Sequence, residues 1–386
     1  MLEVYSLRDD TFPLTPIEGR DCWYGFRELR GSFRSLHERS LREAPRLCVL
    51  NRGQFGAGKT HAALYFTHTA ATLCEEISPD LYASTHAFHV ETPKQGKGAF
   101  SQLYQALADR IQLRHLKAVL LGLIEQLGKA SVEEYIYSRT GSEDLAIAVA
   151  ACEDDTYQSL RTYLLGGGSS AELRKIGAAR RLSSETDFAN ALVGLFSVLV
   201  KHAELATGKP CRIFVWVDEM EDLVYYSSKD YLPFTQSLRH FLDRMSQHLT
   251  LFLNFTFSEP EELATIEEVL GQAVMDRVNE HVLFRPPNVT EVKQYLDDLL
   301  LDNYIGGTAD ELRKLAPHFP FDDDAFSALS SACEHTTPRY THKLTDRLLR
   351  VACDRDMVSA DHVVGKQATD ALLAESIDAI STETLD

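Results

Sequence analysis

The chain has 386 residues, of which 44% are hydrophobic and 25% charged, and its formal net charge at pH 7 is −18. This composition is typical of a globular protein of two or three domains with a substantial core, and it excludes disordered, fibrous and disulfide-stapled proteins. The acidic balance argues against attraction of the whole surface to DNA or to anionic lipid, although a local basic patch is compatible with it.

The beginning of the chain and its cysteines predict a soluble, cytoplasmic protein with no membrane contact. Segment 1–15 has neither the basic start nor the apolar run of a secretion signal, and no apolar run is long enough to span a bilayer. None of the seven cysteines forms a Cys-x-x-Cys motif. We therefore expect reduced thiols in the core, as is usual in the cytoplasm.

An N-terminal arm and a basic helix, residues 1–45, open the chain. Residues 1–30 carry no regular pattern, but Leu29, Phe33 and Leu36 recur at spacings of four and three and predict an amphipathic helix. Its polar face is rich in arginine, and such a charge run is usually a solvated surface. The arginines off the apolar stripe are Arg30, Arg34 and Arg39.

Strands and helices then alternate along the chain. The first predicted strand is followed by a glycine-rich turn at 53–58 and a helix at 60–73. Strands that are apolar on both faces and separated by helices form parallel sheets with helices on both sides. The five apolar runs that predict these strands are 47–50, 81–90, 212–217, 249–257 and 281–284.

Long helical stretches lie between and after these strands. Roughly 110 helical residues separate the second strand from the third, more than one crossover helix needs, and they predict a helical insertion at about 112–186. No strand pattern follows Pro287. We therefore predict an α/β fold, a parallel five-stranded phosphate-loop sheet flanked by helices, with a helical insertion and a C-terminal helical lid. The predicted domains are the core at 46–286, the lid at 287–353 and an acidic tail at 354–386.

The segment from Gly53 to Thr60, GQFGAGKT, matches the phosphate-loop pattern G-x-x-x-x-G-K-[ST] at every position. It follows a predicted strand and precedes a predicted helix, the context in which glycines such as Gly56 and Gly58 let backbone N–H groups surround phosphates. Lys59 would reach the β and γ phosphates, and the Thr60 hydroxyl would hold Mg²⁺. The sequence therefore predicts ATP and Mg²⁺ as cofactors.

Two acids follow the third strand in the run VWVDE. Hydrolysis of a nucleoside triphosphate needs one carboxylate for the metal and a second group to polarise the attacking water. We predict Asp218 as a metal ligand and Glu219 as the general base, at the strand edge where open α/β sheets bind ligands. Glu221 and Asp222 are expected to cap the next helix.

These motifs resemble the AAA+ family of phosphate-loop ATPases. The resemblance implies a sensor-one residue among Asn254, Thr256 and Ser258, with Thr256 chosen. It also implies an arginine finger at Arg277, just before the last strand, and a sensor-two arginine at Arg339 in the run TTPR. The chain would then be an ATPase.

Within that family the sequence looks most similar to the initiator, clamp-loader and transposon target-selection ATPases, because of TTPR and the early aromatic run from Trp23 to Phe26. The resemblance implies a homo-oligomer, ring or filament, that uses ATP as an assembly switch on double-stranded DNA. The insertion would bind an unidentified partner protein. No winged-helix segment follows the lid, which leaves specific reading of DNA sequence without a candidate element.

A lysine loop directly after the second strand is the first candidate for DNA contact. Lys94 and Lys97 lie among glycines, with no acid nearer in sequence than Glu91. An acidic protein can still bind DNA when such lysines are repeated around a pore. The other basic candidates are Arg30, Arg34 and Arg39 in the arm and Arg174, Lys175, Arg180 and Arg181 in the insertion.

A second class of function stays open. Antiviral-defence ATPases also use loops of the form G-x-F/Y-G-x-G-K-T-H, as segment 53–61 does here, which adds His61 to the cofactor-binding residues. In that case the chain would be a STAND-like or antiviral NTPase signalling module that binds protein and not DNA. The net charge of −18 favours this alternative, whereas Arg277 and the lysine loop favour the first.

Overall fold

A computed structural model describes residues 2–17, 22–42, 45–257, 263–305 and 308–383. The chain divides into two compact units. The sheet unit comprises Arg34–Arg52 and Phe66–Leu283, and the lid unit comprises Met1–Phe33, Gly53–Tyr65 and Phe284–Asp386.

A five-stranded parallel sheet forms the centre of the sheet unit, in the order β2-β3-β4-β1-β5. Every residue of β3 is buried, and β2 and β3 pair in register from Ser84 opposite Cys211 to Glu91 opposite Asp218. Apolar residues on both faces of the strands explain why helices cover both sides. The sheet and its flanking helices confirm the predicted fold class. The strands are β1 (Arg46–Gly53), β2 (Ser84–Glu91), β3 (Cys211–Asp218), β4 (Leu249–Thr256) and β5 (Glu280–Phe284).

Helix α9 is the main packing element of this unit. It is long and apolar enough to cross a membrane, but 67% of its most apolar window is buried against neighbours that include β3, α3 and α10. Its length therefore reflects a core helix. The helices through α12 are α1 (Arg27–Arg42), α2 (Lys59–Ile77), α3 (Ala99–Arg110), α4 (Leu113–Leu127), α5 (Lys129–Thr140), α6 (Glu143–Ala150), α7 (Tyr157–Leu164), α8 (Ser170–Lys175), α9 (Glu185–Thr207), α10 (Ser228–Arg244), α11 (Leu263–Leu270) and α12 (Gln272–Met275).

Helices α4 to α8 occupy the interval that the sequence predicts as an insertion. They belong to the same compact unit as the sheet, and α4 and α5 pack directly on α9. Their buried apolar residues are continuous with those of the sheet. The insertion therefore extends the core of the sheet unit.

The lid unit is built on a helical core. The sequence predicts only an acidic tail after residue 353, whereas the structure has helix α17 there, packed on α15 and α16 through buried Leu372 and Ile380. The described acids of α17 lie on its exposed face. The net negative charge of the segment therefore predicted a tail, although its apolar residues are spaced to pack on other helices. The helices are α13 (Val289–Asp302), α14 (Ala309–Leu315), α15 (Asp323–Ala332), α16 (Pro338–Asp354) and α17 (Lys366–Glu383).

The N-terminal arm packs into this helical core. Leu2, Tyr5 and Leu7 are completely buried there, and a short 3₁₀ helix spans Leu2–Tyr5. The Tyr5 hydroxyl donates to the Leu349 carbonyl at 2.8 Å. The arm therefore completes the lid core, although it carries no regular pattern in the sequence.

A buried histidine joins the arm to two lid helices. His342 lies between the Pro13 carbonyl, 2.7 Å from Nδ1, and the Tyr295 hydroxyl, 2.6 Å from Nε2. A neutral ring satisfies both contacts when Nδ1 donates to Pro13 and Nε2 accepts from Tyr295. Burial lowers the pKa of His342 to about 4.

Candidate functional site

The phosphate-loop motif forms a tight turn between a strand and a helix. β1 ends at Gly53 and α2 begins at Lys59. Gly56 and Gly58 have φ angles of +78° and +96°, a region that other L-residues rarely adopt. The Ala57 N–H donates to the Gln54 carbonyl at 3.2 Å, which closes the turn. The loop therefore presents its backbone at the N-terminus of α2, where anions are favoured.

Lys59 is held inside this loop. It is only 5% exposed, and its ammonium group donates to the carbonyls of Gly53 at 2.8 Å and Gln54 at 2.9 Å. Thr60 follows in the first turn of α2 and is partly buried. The positive end of the α2 dipole lies at the same place, so the lysine and the helix both favour an anion there.

Arg339 lies against the same loop, within the lid unit. Its guanidinium stands 4.6 Å from the ring centroid of Phe55, and its N–H donates to the Gly56 carbonyl at 3.4 Å. A Cβ on Gly56 would lie 2.8 Å from the Arg339 Cβ, so only glycine permits this approach. The structure thus brings the predicted sensor-two arginine and the phosphate loop together.

Aromatic residues line the first turns of α2, an arrangement that sequence reasoning did not foresee. The Trp23 ring lies 5.7 Å from the His61 ring and 5.3 Å from the Tyr65 ring. The Arg30 guanidinium lies over Tyr65 at 5.3 Å. Burial lowers the pKa of His61, which favours the neutral ring. The contacts join segments more than thirty residues apart, and no local spacing announces them.

Asp218 ends β3 in the sheet unit and is 2% exposed. Its Oδ1 accepts from the Glu219 N–H at 3.0 Å, and its Oδ2 lies 3.4 Å from Nε2 of His89. Its carbonyl accepts from both the N–H and the hydroxyl of Thr92 at 2.8 Å. These contacts fix a buried carboxylate at the strand edge, as a metal ligand requires.

Glu219 leaves the strand in a left-handed conformation, with φ +56°. Its carboxylate accepts from the Lys94 ammonium, which also lies 3.1 Å from Asp222 Oδ2. The hydrogen bond to Glu219 raises the pKa of Lys94. Glu91 is the nearest acid to Lys94 along the sequence, but the fold places the ends of β2 and β3 side by side and so brings Glu219 and Asp222 to it.

The prediction that Glu221 and Asp222 cap the next helix is wrong. Glu221 and Asp222 lie in a 3₁₀ helix, Met220–Tyr225, and the next α-helix begins only at Ser228. Glu221 instead accepts from the Thr256 N–H at 2.9 Å, while Asp222 pairs with Lys94. The two carboxylates therefore bond to groups at the ends of neighbouring strands, and the next α-helix begins too far along the chain for them to cap it.

The three sensor-one candidates differ in their surroundings. Asn254 is completely buried, and its Oδ1 accepts from the Asn51 side chain at 2.7 Å across neighbouring strands. Thr256 is partly exposed at the end of β4 and is tied by its N–H to Glu221. Ser258 lies outside the described residues. The structure therefore places Thr256, and not Asn254, at the accessible end of its strand.

Arg277 lies between α12 and β5, as predicted. Its guanidinium pairs with Asp243 through two contacts, Nε to Oδ1 at 2.5 Å and a terminal nitrogen to Oδ2 at 2.8 Å. The pair lowers the pKa of Asp243. Such bidentate pairing fixes the orientation of the guanidinium.

Several of the other basic candidates already have acidic partners. Arg34 contacts Glu76 at 3.0 Å, and Arg39 contacts Glu280. Arg180 makes a bidentate pair with Asp187, at 2.7 and 2.9 Å, next to the N-terminus of α9. Lys97, by contrast, is exposed, and its carbonyl accepts from the Gln102 side chain at 3.0 Å. Within the lysine loop, Lys94 is therefore paired with acids, whereas Lys97 is exposed.

No protein-family model and no curated protein sequence matches the chain. Its structure is similar to that of the Aeropyrum pernix ORC1 protein in complex with DNA, at 15% identity and a TM-score of 0.46, covering 96% of this chain and 70% of that one. It is also similar to Drosophila ORC bound to DNA, at 13% identity and a TM-score of 0.48, covering 97% of this chain and 65% of that one.

A third similar structure is the Aeropyrum pernix ORC2 protein, at 9% identity and a TM-score of 0.49, covering 95% of this chain and 71% of that one. The chain thus spans about two thirds of the length of these structures. At these identities and TM-scores the similarities concern the fold alone.

Proposed function

We propose that this chain is an AAA+ type ATPase that binds and hydrolyses ATP at the phosphate loop and uses the ATP state to assemble on DNA. The observation that carries the proposal is the complete loop, with a buried Lys59 at the N-terminus of α2. A triphosphate would place negative charge at this helix N-terminus, next to the Lys59 ammonium group.

The residues of the loop fit ATP. Gly56 and Gly58 keep the backbone free of Cβ atoms, and Lys59 can exchange its carbonyl partners for phosphate oxygens. Arg339 already touches the loop and supplies a second cation. Two cations and a helix N-terminus suit a group with three to four negative charges.

Thr60 and Asp218 would hold Mg²⁺, since both offer the oxygen ligands that it prefers. The ion would neutralise charge on the phosphates as the bond breaks. β1 and β3 are parallel strands separated only by β4, so their carboxyl ends lie at the same edge of the sheet. Glu219, next to Asp218, would take the proton of the attacking water.

Assembly and DNA contact are the second part of the proposal. Arg277 would act on the ATP of a neighbouring subunit as an arginine finger, which implies a homo-oligomeric ring or filament. Lys97 would contact the phosphate backbone of double-stranded DNA. The helical insertion, α4 to α8, would bind a partner protein of unknown identity.

One observation favours the second candidate, a STAND-like or antiviral signalling module that binds protein and not DNA. The chain carries a net charge of −18, and the side chains of Lys94, Arg34 and Arg180 are paired with acids of the same chain. Paired bases contribute little to the release of counterions from DNA.

The deciding experiment images and sediments the full chain with and without a non-hydrolysable ATP analogue and duplex DNA. Under the proposal, the analogue produces a ring or filament, and that assembly retains DNA at low salt. Assembly with the analogue but no DNA retention would support the signalling module. Failure to bind the analogue in calorimetry would reject both.

A further inference from the structure

We propose that Tyr225, Lys97 and Lys229, together called the Tyr225 surface, form a binding site for an unpaired base of DNA and its flanking phosphates. This inference rests on the proposed action on DNA and deepens it, because it adds Tyr225 and Lys229, which no motif marks, to Lys97. All three residues belong to the sheet unit.

Tyr225 is the most exposed large apolar or aromatic side chain in the described part of the chain, at 84%. It ends the 3₁₀ helix Met220–Tyr225, whose Leu223 is completely buried. The following residue, Tyr226, packs on the lysine loop, and its hydroxyl donates to the Pro93 carbonyl. An aromatic ring held in solvent by a well-anchored segment leaves its face open for stacking by a partner.

The lysine loop lies directly against this segment. A Cβ on Gly96 would lie 2.7 Å from the Asp230 Cβ and 2.8 Å from the Tyr226 Cγ. Only glycine therefore allows the loop to lie so close. Each residue of the Tyr225 surface is next in sequence to a residue of this contact. Lys97 follows Gly96, Lys229 precedes Asp230, and Tyr225 precedes Tyr226.

Two of the three lysines in this region remain open to an anionic partner. Lys94 is neutralised by Glu219 and Asp222, and Asp230 is turned towards the Ser227 hydroxyl at 2.7 Å. Lys97 and Lys229 are both exposed. Their ammonium groups can therefore meet phosphates while the inner acids stay engaged with partners of their own.

A nucleic acid with an unstacked base matches this combination best. Lysines that follow a phosphate backbone, together with an aromatic ring that stacks on a base, are the usual construction of surfaces for single strands. The backbone of the lysine loop is fixed by the Tyr226 and Gln102 side chains, so little order has to be gained on binding.

The test compares Tyr225→Ala, Tyr225→Phe and the control Tyr137→Ala in the full chain with a non-hydrolysable ATP analogue. Tyr137 is another exposed tyrosine, located on α5. The probe is a single-stranded oligonucleotide that carries one fluorescent base analogue, whose emission reports stacking. Binding is measured by anisotropy, and circular dichroism confirms folding.

Tyr225→Ala should weaken binding about 5-fold to 150-fold and abolish the change in base emission, as stacking energies imply. Tyr225→Phe and Tyr137→Ala should bind like the wild type. Lys97→Gln with Lys229→Gln should lower the slope of log affinity against log salt by about 0.7 for each lysine.

Wild-type binding that Tyr225→Ala leaves unchanged would overturn the inference while the proposed action on DNA stands. A change of oligomeric state in Tyr225→Ala, with DNA affinity retained, would also overturn it, since the ring would then cover a subunit contact. Absence of any binding by the wild type to single-stranded or duplex DNA would instead reject the proposed action on DNA itself.

Discussion

The lid unit and the sheet unit hold their functional side chains by different means. In the lid unit the Lys59 ammonium group donates to two backbone carbonyls, and His342 lies between a carbonyl and a hydroxyl. In the sheet unit Lys94 contacts Glu219, and Arg277 makes a bidentate pair with Asp243. His342 is thus held by neutral dipoles, whereas Lys94 and Arg277 are held by opposite charges.

This difference decides what a ligand must displace. An anion that reaches Lys59 gains a charge-assisted bond to its ammonium group. A ligand that needs Glu219 or Arg277 must first separate an ion pair, although exposed pairs of this kind stabilise by only about 0–1 kcal/mol. Binding should therefore depend mainly on the lid unit, and turnover should depend on rearrangement in the sheet unit.

The largest expected effect is that of Lys59→Ala. ATP affinity should fall about 100-fold or more, because a buried triphosphate loses a charge-assisted bond. Glu219→Gln is the matched variant in the other unit, and it should retain ATP and lose turnover by about 10²-fold to 10⁴-fold. Calorimetry and phosphate release measure the two. Equal ATP affinity in Lys59→Ala and the wild type would break the comparison.

The next largest effect concerns Arg277. Arg277→Ala should lower turnover about 10³-fold if the guanidinium acts on a neighbour's ATP. Mixing Arg277→Ala with Glu219→Gln subunits should then restore part of the activity, because a mixed boundary joins an intact base to an intact finger. Asp243→Asn is the control, since it frees the arginine without removing it. Mixtures that co-assemble but stay inactive would make Arg277 a structural partner of Asp243.

A pH dependence of stability is expected from the lid unit. The pKa of His342 is about 4 when folded, below the ordinary value of about 6.5, so its neutral ring stabilises the fold fully above pH 6.5. About 3 kcal/mol of this is lost as the pH falls through 4. Urea unfolding between pH 7 and 4 should show a flatter profile for His342→Gln than for the wild type and the exposed-site control His362→Gln. Parallel profiles would contradict the buried neutral ring.

The smallest expected effect is that of Lys94→Ala. Removal of its ammonium frees Glu219 from an exposed ion pair, so turnover should rise about 2-fold to 5-fold while ATP affinity stays the same. Lys97→Ala, which removes a lysine from the same loop without touching Glu219, should leave basal turnover unchanged. Lower turnover in Lys94→Ala would mean that Lys94 holds the Glu219 carboxylate in its active orientation instead of blocking it.

The parts that could be predicted are those whose signal is local. The run from Gly53 to Thr60 and the apolar run ending in Asp218 each specify an element and its chemistry within about ten residues. The five strands and most lid helices follow from hydrophobic periodicity. Helix α17 was not predicted, because the many acids on its outer face were taken as the sign of a charged tail and the apolar residues that pack on α15 were not recognised.

By itself the sequence determined the order of strands and helices along the chain, the phosphate loop and the acids that end β3. Hydrophobic periodicity and motif spacing are patterns among near neighbours, so they can be read locally. Only the tertiary structure decided that Lys94 meets Glu219, that Arg277 meets Asp243 and that Gly96 lies on Tyr226. Those contacts join residues 34 to 130 positions apart. A parallel sheet brings such residues to one edge, and no local pattern encodes which side chains meet there.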